Sequence, residues 1–208
     1  MNYPLSKKSD LCEICPFKEA FFVPCWHVGE EAEVLFVGKT ARASENKSTK
    51  YWKNRASELF LNSSWPYWRY TKEIATYIYG DNAWNKIAMT NLIKCNLGST
   101  KDMTSDSVKD FCIVKQQFIA TEISQINPKK IIFYTHPHYD RYLKKIFQIE
   151  KEKHLTVLLG KKKVDFWFFN ITLNGKKISC LRTGHPERKK KLDFVQETIQ
   201  FLTKKEEI

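Results

Sequence analysis

Three short apolar runs constrain the fold of this chain more than any other feature: Val34-Leu-Phe-Val37, Ile87–Ile93 and Ile131-Ile-Phe-Tyr134. Each is too short for a helix, rich in β-branched or aromatic residues, and ends abruptly in a polar stretch. Each therefore reads as a buried strand. Helical spacing appears between and after them. It runs over Lys53–Leu61, over Arg69–Tyr79 with Gly80-Asp81-Asn82 as its stop, and over a long stretch placing Val108, Phe111, Cys112, Phe118, Ile119, Ile123 and Ile126 on one face. Asn127-Pro128 ends that stretch, and a short helix fills Tyr139–Gln148. Val164–Thr172 and Lys177–Arg182 flank Asn174-Gly175, a strong hairpin turn signal, before a last helix near Leu192–Thr203. Strands buried on both faces and alternating with helices predict an α/β fold around a mostly parallel sheet covered on both sides.

The 208 residues suit one domain, read here over 1–208 with an irregular segment at 1–32. An apolar fraction of 42% and an aromatic fraction of 14% belong to a folded protein, which excludes a disordered tail. With 35 Lys and Arg against 23 Asp and Glu, the formal charge of +12 favours a polyanionic partner, although charge alone does not separate DNA from RNA. No export signal follows Lys7-Lys8, and no apolar run approaches the roughly 18 residues that would span a bilayer. The expectation is a cytoplasmic monomer without a membrane partner.

In that compartment the six cysteines should be reduced. Cys12 and Cys15 form a Cys-x2-Cys pair, while sixteen residues separate Cys95, just after a strand, from Cys112 in the next helix. Four thiolates can complete a metal site. A zinc ribbon favours a second Cys-x2-Cys pair, which this chain lacks, so the spacing leans to iron–sulfur. Zinc and unmetallated core cysteines stay open. Cys25 is left over, and Cys180, in a predicted strand, reads as a small buried hydrophobe.

Ligands of open α/β sheets bind beyond the carboxyl ends of the strands. Here those ends are 38–48, 91–104, 135–139 and 183–191. In order, the chain carries Cys12-x2-Cys15-Pro16, Val34-Leu-Phe-Val-Gly38, Lys47–Phe60, Thr90-Asn91-Leu-Ile-Lys94-Cys95, Cys112, Asn127-Pro128 and Gly184-His185-Pro186. This series resembles the iron–sulfur (family 4) uracil-DNA glycosylases of the uracil-DNA glycosylase superfamily, over nearly the whole chain from about Cys12 to Phe201. The resemblance implies a three-layer α/β/α sandwich with a central, mostly parallel four-stranded sheet. It implies an enzyme that flips a base from DNA, double- or single-stranded, and hydrolyses its N-glycosidic bond. It also implies a structural [4Fe–4S] cluster on Cys12, Cys15, Cys95 and Cys112, with zinc as the lesser reading.

By the same resemblance, Asn91 pairs with the Watson–Crick edge of the flipped base, for which an amide offers a donor and an acceptor side by side. Trp52, with Tyr51 beside it, stacks on that base. His185 donates a hydrogen bond to the base oxygen that gains charge as the bond breaks. Arg188, Lys189 and Lys190 lie against the DNA backbone. The chain departs from the family in the first strand loop. Relatives carry Gly-Glu-(Ala/Gly)-Pro-Gly, whose carboxylate positions water; this chain has Gly38-Lys39-Thr40-Ala41-Arg42.

Three readings follow from that departure. The reaction is largely dissociative, with water placed by Glu45, Asn46 or main chain; or Lys39 is a desolvated amine that attacks the sugar; or the site binds DNA without cutting it. Lys39, Arg42, His136 and His138 also supply long donors that suit a hydroxymethylated or glucosylated cytosine, the modifications with which phages mask their DNA. His136-Pro137-His138 has only Asp140 nearby to complete a metal site. The leading expectation is thus a glycosylase for a deaminated or modified pyrimidine, in base-excision repair or anti-phage defence. The alternatives are a non-catalytic iron–sulfur nucleic-acid-binding module and, if the cysteine reading fails, a zinc-stabilised RNA-binding protein.

Overall fold

A computed structural model describes residues 10–15, 21–22, 25–40, 49–96, 104–187 and 189–204. Along the chain run β1 (Phe21–Phe22), β2 (His27–Val28), β3 (Val34–Thr40), α1 (Thr49–Asn62), α2 (Pro66–Tyr79), α3 (Ala83–Lys86), β4 (Ile87–Ile93), β5 (Cys95–Asn96) and α4 (Asp106–Lys109). Then follow α5 (Phe118–Ile126), β6 (Lys130–Phe133), α6 (Asp140–Ile146), β7 (Gln148–Leu159), β8 (Lys162–Leu173), β9 (Lys176–Arg182) and α7 (Lys191–Thr203).

Apolar alternation along β3 explains the layering. Phe36 faces one cluster, with Ala56 and Phe60 of α1, Trp68 and Ile74 of α2, and Phe194 of α7. Leu35 and Val37 face the other, with Val108 of α4, Ile119 and Ile123 of α5, and Tyr142 and Leu143 of α6. Each of the seven residues of β3 and of β4 is buried, as strands sandwiched between helices must be. The α/β expectation therefore holds.

The sheet itself differs from the one expected. It has seven strands in the order β2-β4-β3-β6-β9-β8-β7 and is mixed, not a mostly parallel sheet of four. β3 runs parallel to β4 and β6, and β6 to β9, whereas β2–β4, β9–β8 and β8–β7 pair antiparallel. Of the added strands, β7 was hard to read for a physical reason. β7 is an edge strand whose Glu150-Lys-Glu-Lys-His154 run is largely exposed, and charges on an edge blunt it against further pairing while erasing the apolar period. The Asn174-Gly175 turn does close the β8–β9 hairpin, with both residues at positive φ.

The helix expected to carry Cys112 is not continuous. α4 passes into a π-helical stretch, Asp110–Lys115, and Gln117 in the left-handed region (φ 49°) separates it from α5. In an unbroken α-helix, Cys112 and Phe118 would point roughly 120° apart. The wider turn and the break let both face the core, where each is at most 5% exposed. Among the described residues no helix is long and apolar enough to cross a membrane.

Candidate active site and cysteine site

At the carboxyl ends of β3 and β4, Gly38 stands opposite Asn91 in the parallel register. A Cβ on Gly38 would lie 2.2 Å from Asn91 Oδ1 and 3.3 Å from Tyr67 Cε2. Only a glycine leaves room for the Asn91 amide to lie across β3, so this position answers to close packing rather than to backbone freedom. Asn91 itself is buried, and its carbonyl accepts a 2.5 Å hydrogen bond from Lys94 Nζ.

Tyr67 lies beside Gly38 on this face and near His185. It sits in the first turn of α2, which Pro66 opens, and its ring lies nearly parallel to the His185 ring (20°) at 6.2 Å. Trp26, Trp68 and Tyr134 hold it edge-on or nearly so, with centroids 5.4–5.9 Å away. Its hydroxyl is buried without a well-formed hydrogen bond. Burial raises its pKa well above the phenol range, and the nearby Tyr134 and Cys25 act in the same direction. Sequence reasoning missed Tyr67. The available signal was the run Trp65-Pro-Tyr-Trp68, in which a proline starts a helix with two aromatics in its first turn.

His185 follows β9 directly. Its Nδ1 accepts the Glu187 amide N–H at 3.2 Å, so the neutral ring carries its proton on Nε2. The strand end before it is pinned by Arg182, which is 1% exposed. Its guanidinium donates to Asp140 Oδ2 and Asp165 Oδ2, each at 2.6 Å. Burial raises the Asp140 carboxyl. For Asp165, burial acts upward too, but hydrogen bonds from Arg182 and His154 outweigh it and hold the carboxyl below its usual value.

The other anticipated residues are less convergent. Lys39 is buried at 6% exposure, and strand alternation puts it with Leu35 and Val37, on the face opposite that on which Gly38 receives Asn91. His136 and His138 stack with centroids 5.6 Å apart at the turn after β6, beside Tyr139. Lys189 is half-buried and its carbonyl accepts from Tyr70, while the exposed Lys190 pairs with Asp193 at 3.3 Å. Tyr51 and Trp52 belong to α1, but their side chains lie outside the described residues, as do Arg42, Glu45, Asn46 and Arg188.

The four cysteines singled out by spacing are all buried. Cys12 and Cys15 share a 3₁₀ turn, with the Cys15 amide donating to the Cys12 carbonyl at 3.1 Å. Cys95 pairs with Phe22 across the small β1–β5 ladder, and its carbonyl accepts from Thr40 Oγ1. Cys112 Sγ receives the Lys94 amide at 3.4 Å. Burial pushes the Cys112 thiol up to about 12; Cys95 and Cys12 act in the same direction, against the Lys94 amide and ammonium. A bound cationic centre would reverse that balance, and an amide N–H aimed at sulfur is what a cluster thiolate uses. The donor set fits such a centre in kind. Among the described residues, however, no three His, Cys, Asp or Glu side chains converge to hold a metal ion.

Behind Asn91 lies a fully buried ion pair that sequence reasoning also missed. Lys94 Nζ meets Glu122 Oε2 at 2.5 Å, and neither side chain has any exposure. The ammonium also donates to Thr90 Oγ1 (2.7 Å) and Asn91 O, while Glu122 accepts from Thr90 Oγ1 (2.7 Å) and the Cys25 amide (3.0 Å). Cys25 therefore belongs to this network, with its own thiol near the carbonyls of His27 and Met89. Compared with known proteins, the chain matches no family model and no curated sequence.

Proposed function

We propose that the chain is a DNA glycosylase that binds a flipped pyrimidine between Asn91 and His185 and cleaves its N-glycosidic bond. The observation that carries this reading is the Gly38–Asn91–Tyr67–His185 arrangement at the carboxyl ends of the parallel strands, where ligands of such sheets bind. The Asn91 amide presents a donor and an acceptor to the base edge, and the His185 Nε2–H donates to the base oxygen on which charge develops. As the glycosidic bond breaks, its electron pair passes to the base nitrogen, water adds to the sugar carbon, and the proton it releases neutralises the departing base, leaving an abasic site. Lys39 on the opposite face favours this dissociative route over attack by its amine.

On this reading β4, β3, β6 and β9 are the four-stranded core of a uracil-DNA glycosylase-like α/β/α sandwich, to which β2 and the β7–β8 hairpin are added. Cys12, Cys15, Cys95 and Cys112 hold a [4Fe–4S] cluster that braces the loops around the site, and the protein works in the cytoplasm. Bound there, the cluster would supply structural support, tying together the segments that carry the four thiolates. The chain's own residues bind and orient the base. Repair of uracil and defence against phage DNA carrying modified cytosine are its two settings.

The test is incubation with duplexes carrying uracil, 5-hydroxymethylcytosine or its glucosylated form, followed by alkali. Strand scission on one of them, abolished in His185→Ala, is the expected result. Absence of scission on every substrate, with DNA binding intact, refutes the enzyme and leaves a non-catalytic binding module.

A further inference from the structure

The β7–β8 hairpin reaches past the mouth of the site. Trp167 of β8 pairs with Arg182, the last residue of β9, so Lys162–Phe166 continue beyond the parallel strands while still paired with Leu155–Leu159 of β7. Five residues of paired strand amount to an overhang of about 16 Å.

The overhang is held firmly in place. Val157, Leu159 and Phe166 are buried in the same cluster as Phe194 of α7. The Gly160 amide at the tip donates to Asp193 Oδ2 at 3.1 Å, and a Cβ on Gly160 would lie 3.5 Å from Lys190 Cβ. At its base, Arg182 ties Asp165 of β8 to Asp140 of α6.

This docking gathers like charge. The tip carries Lys161, Lys162 and Lys163, all exposed, and the described residues offer none of them a carboxylate at ion-pair distance. Beside the tip, the Lys189 amine is depressed first by burial and then by the charge of Lys162, which the Glu187 carboxylate only partly offsets. Of the lysines at the start of α7, Lys190 and Lys191 are paired, with Asp193 and Glu73. A cluster of cations left unneutralised at the rim of a site is relieved by a run of phosphates, which releases condensed counterions on binding.

We propose that the tip of the β7–β8 hairpin, Lys161–Lys163, together with Lys189, grips the phosphate backbone of the DNA whose base is proposed to meet Asn91 and His185. This rests on the glycosylase reading for the identity of the polyanion, but not for its chemistry. The hairpin is a strut that carries charge to the backbone beside the flipped nucleotide.

The experiment is fluorescence anisotropy of a labelled, unmodified 20-base-pair duplex across a salt series, using the full chain. Lys161→Gln/Lys162→Gln/Lys163→Gln is compared with Lys129→Gln/Lys176→Gln/Lys177→Gln, which removes the same charge near the opposite end of the sheet. The hairpin variant should flatten the slope of log affinity against log salt by about 2 to 3, because each phosphate no longer neutralised takes about 0.9 from it. The control should keep the wild-type slope. Equal flattening in both variants, no flattening in the hairpin variant, or no binding by the wild-type protein each overturns the proposal. Base release is scored separately, so a chain that grips DNA through the hairpin yet releases no base refutes the glycosylase reading alone.

Discussion

The Lys94–Glu122 pair allows the sharpest quantitative test of how the site is held. Both side chains are wholly buried, all three ammonium protons have acceptors within 2.7 Å, and the carboxylate accepts three hydrogen bonds. Glu122→Gln keeps shape and volume but strands a cation in the core; Lys94→Met strands an anion. Breaking one side of such a pair costs about 3–5 kcal/mol, which is a large part of the 5–15 kcal/mol typical of a whole domain. For a chain of this size that corresponds to a fall in Tm of roughly 6–20 °C. The double variant removes both charges and should be about 1–3 kcal/mol more stable than the sum of the singles. Urea denaturation of the four proteins measures the cycle. Singles costing under about 1 kcal/mol each, with strictly additive effects, would refute the claim that a mutually compensated pair supports Asn91 from behind.

His27 gives a pH test. Burial against Trp84 lowers its pKa from 6.5 to about 4, so above pH 6.5 it costs nothing, and as pH falls toward 4 the unfolded chain takes up a proton that the folded chain does not. About 3 kcal/mol of stability should be lost over that window, and His27→Gln should flatten that part of the stability profile. Gly38→Ala drives a methyl into Asn91 Oδ1 and should cost about 1–3 kcal/mol by overpacking. Base release per folded molecule should fall with it; activity at the wild-type level would mean that the Asn91 amide does not need its seat on β3. Cys112→Ser should remove absorbance near about 400 nm along with about four iron and four sulfide per chain. Zinc in stoichiometric amount in the wild-type protein would instead favour the lesser reading.

Much of the fold was legible because burial leaves a compositional mark. β4 lies where its apolar run does, and β3 and β6 match theirs to within a few residues. β7 left no such mark, since an edge strand is half in water and its charges are what keep it soluble. The π-helical stretch around Cys112 was hidden for another reason. Spacing arguments assume about 3.6 residues per turn, and a single wide turn shifts every later side chain without changing composition.

The site was legible only where a residue type announces its chemistry. Asn91 and His185 stood out as an amide at a strand end and an imidazole before a proline. Gly38 and Tyr67, which set their positions, are ordinary residues whose meaning is wholly spatial. The departure of Gly38-Lys39-Thr40-Ala41-Arg42 from the pattern of the family that the sequence resembles looked like a question about Lys39. In the fold, strand alternation separates Lys39 from Asn91, and the side chain that lies beside Gly38 on the Asn91 face is instead Tyr67, from α2. A buried aromatic ring there adds apolar surface beside the amide and offers no carboxylate to activate water. On the function proposed above, that arrangement would suit a reaction in which departure of the base leads and water arrives late, because the roles proposed for Asn91 and His185 both concern the leaving base and neither concerns the nucleophile.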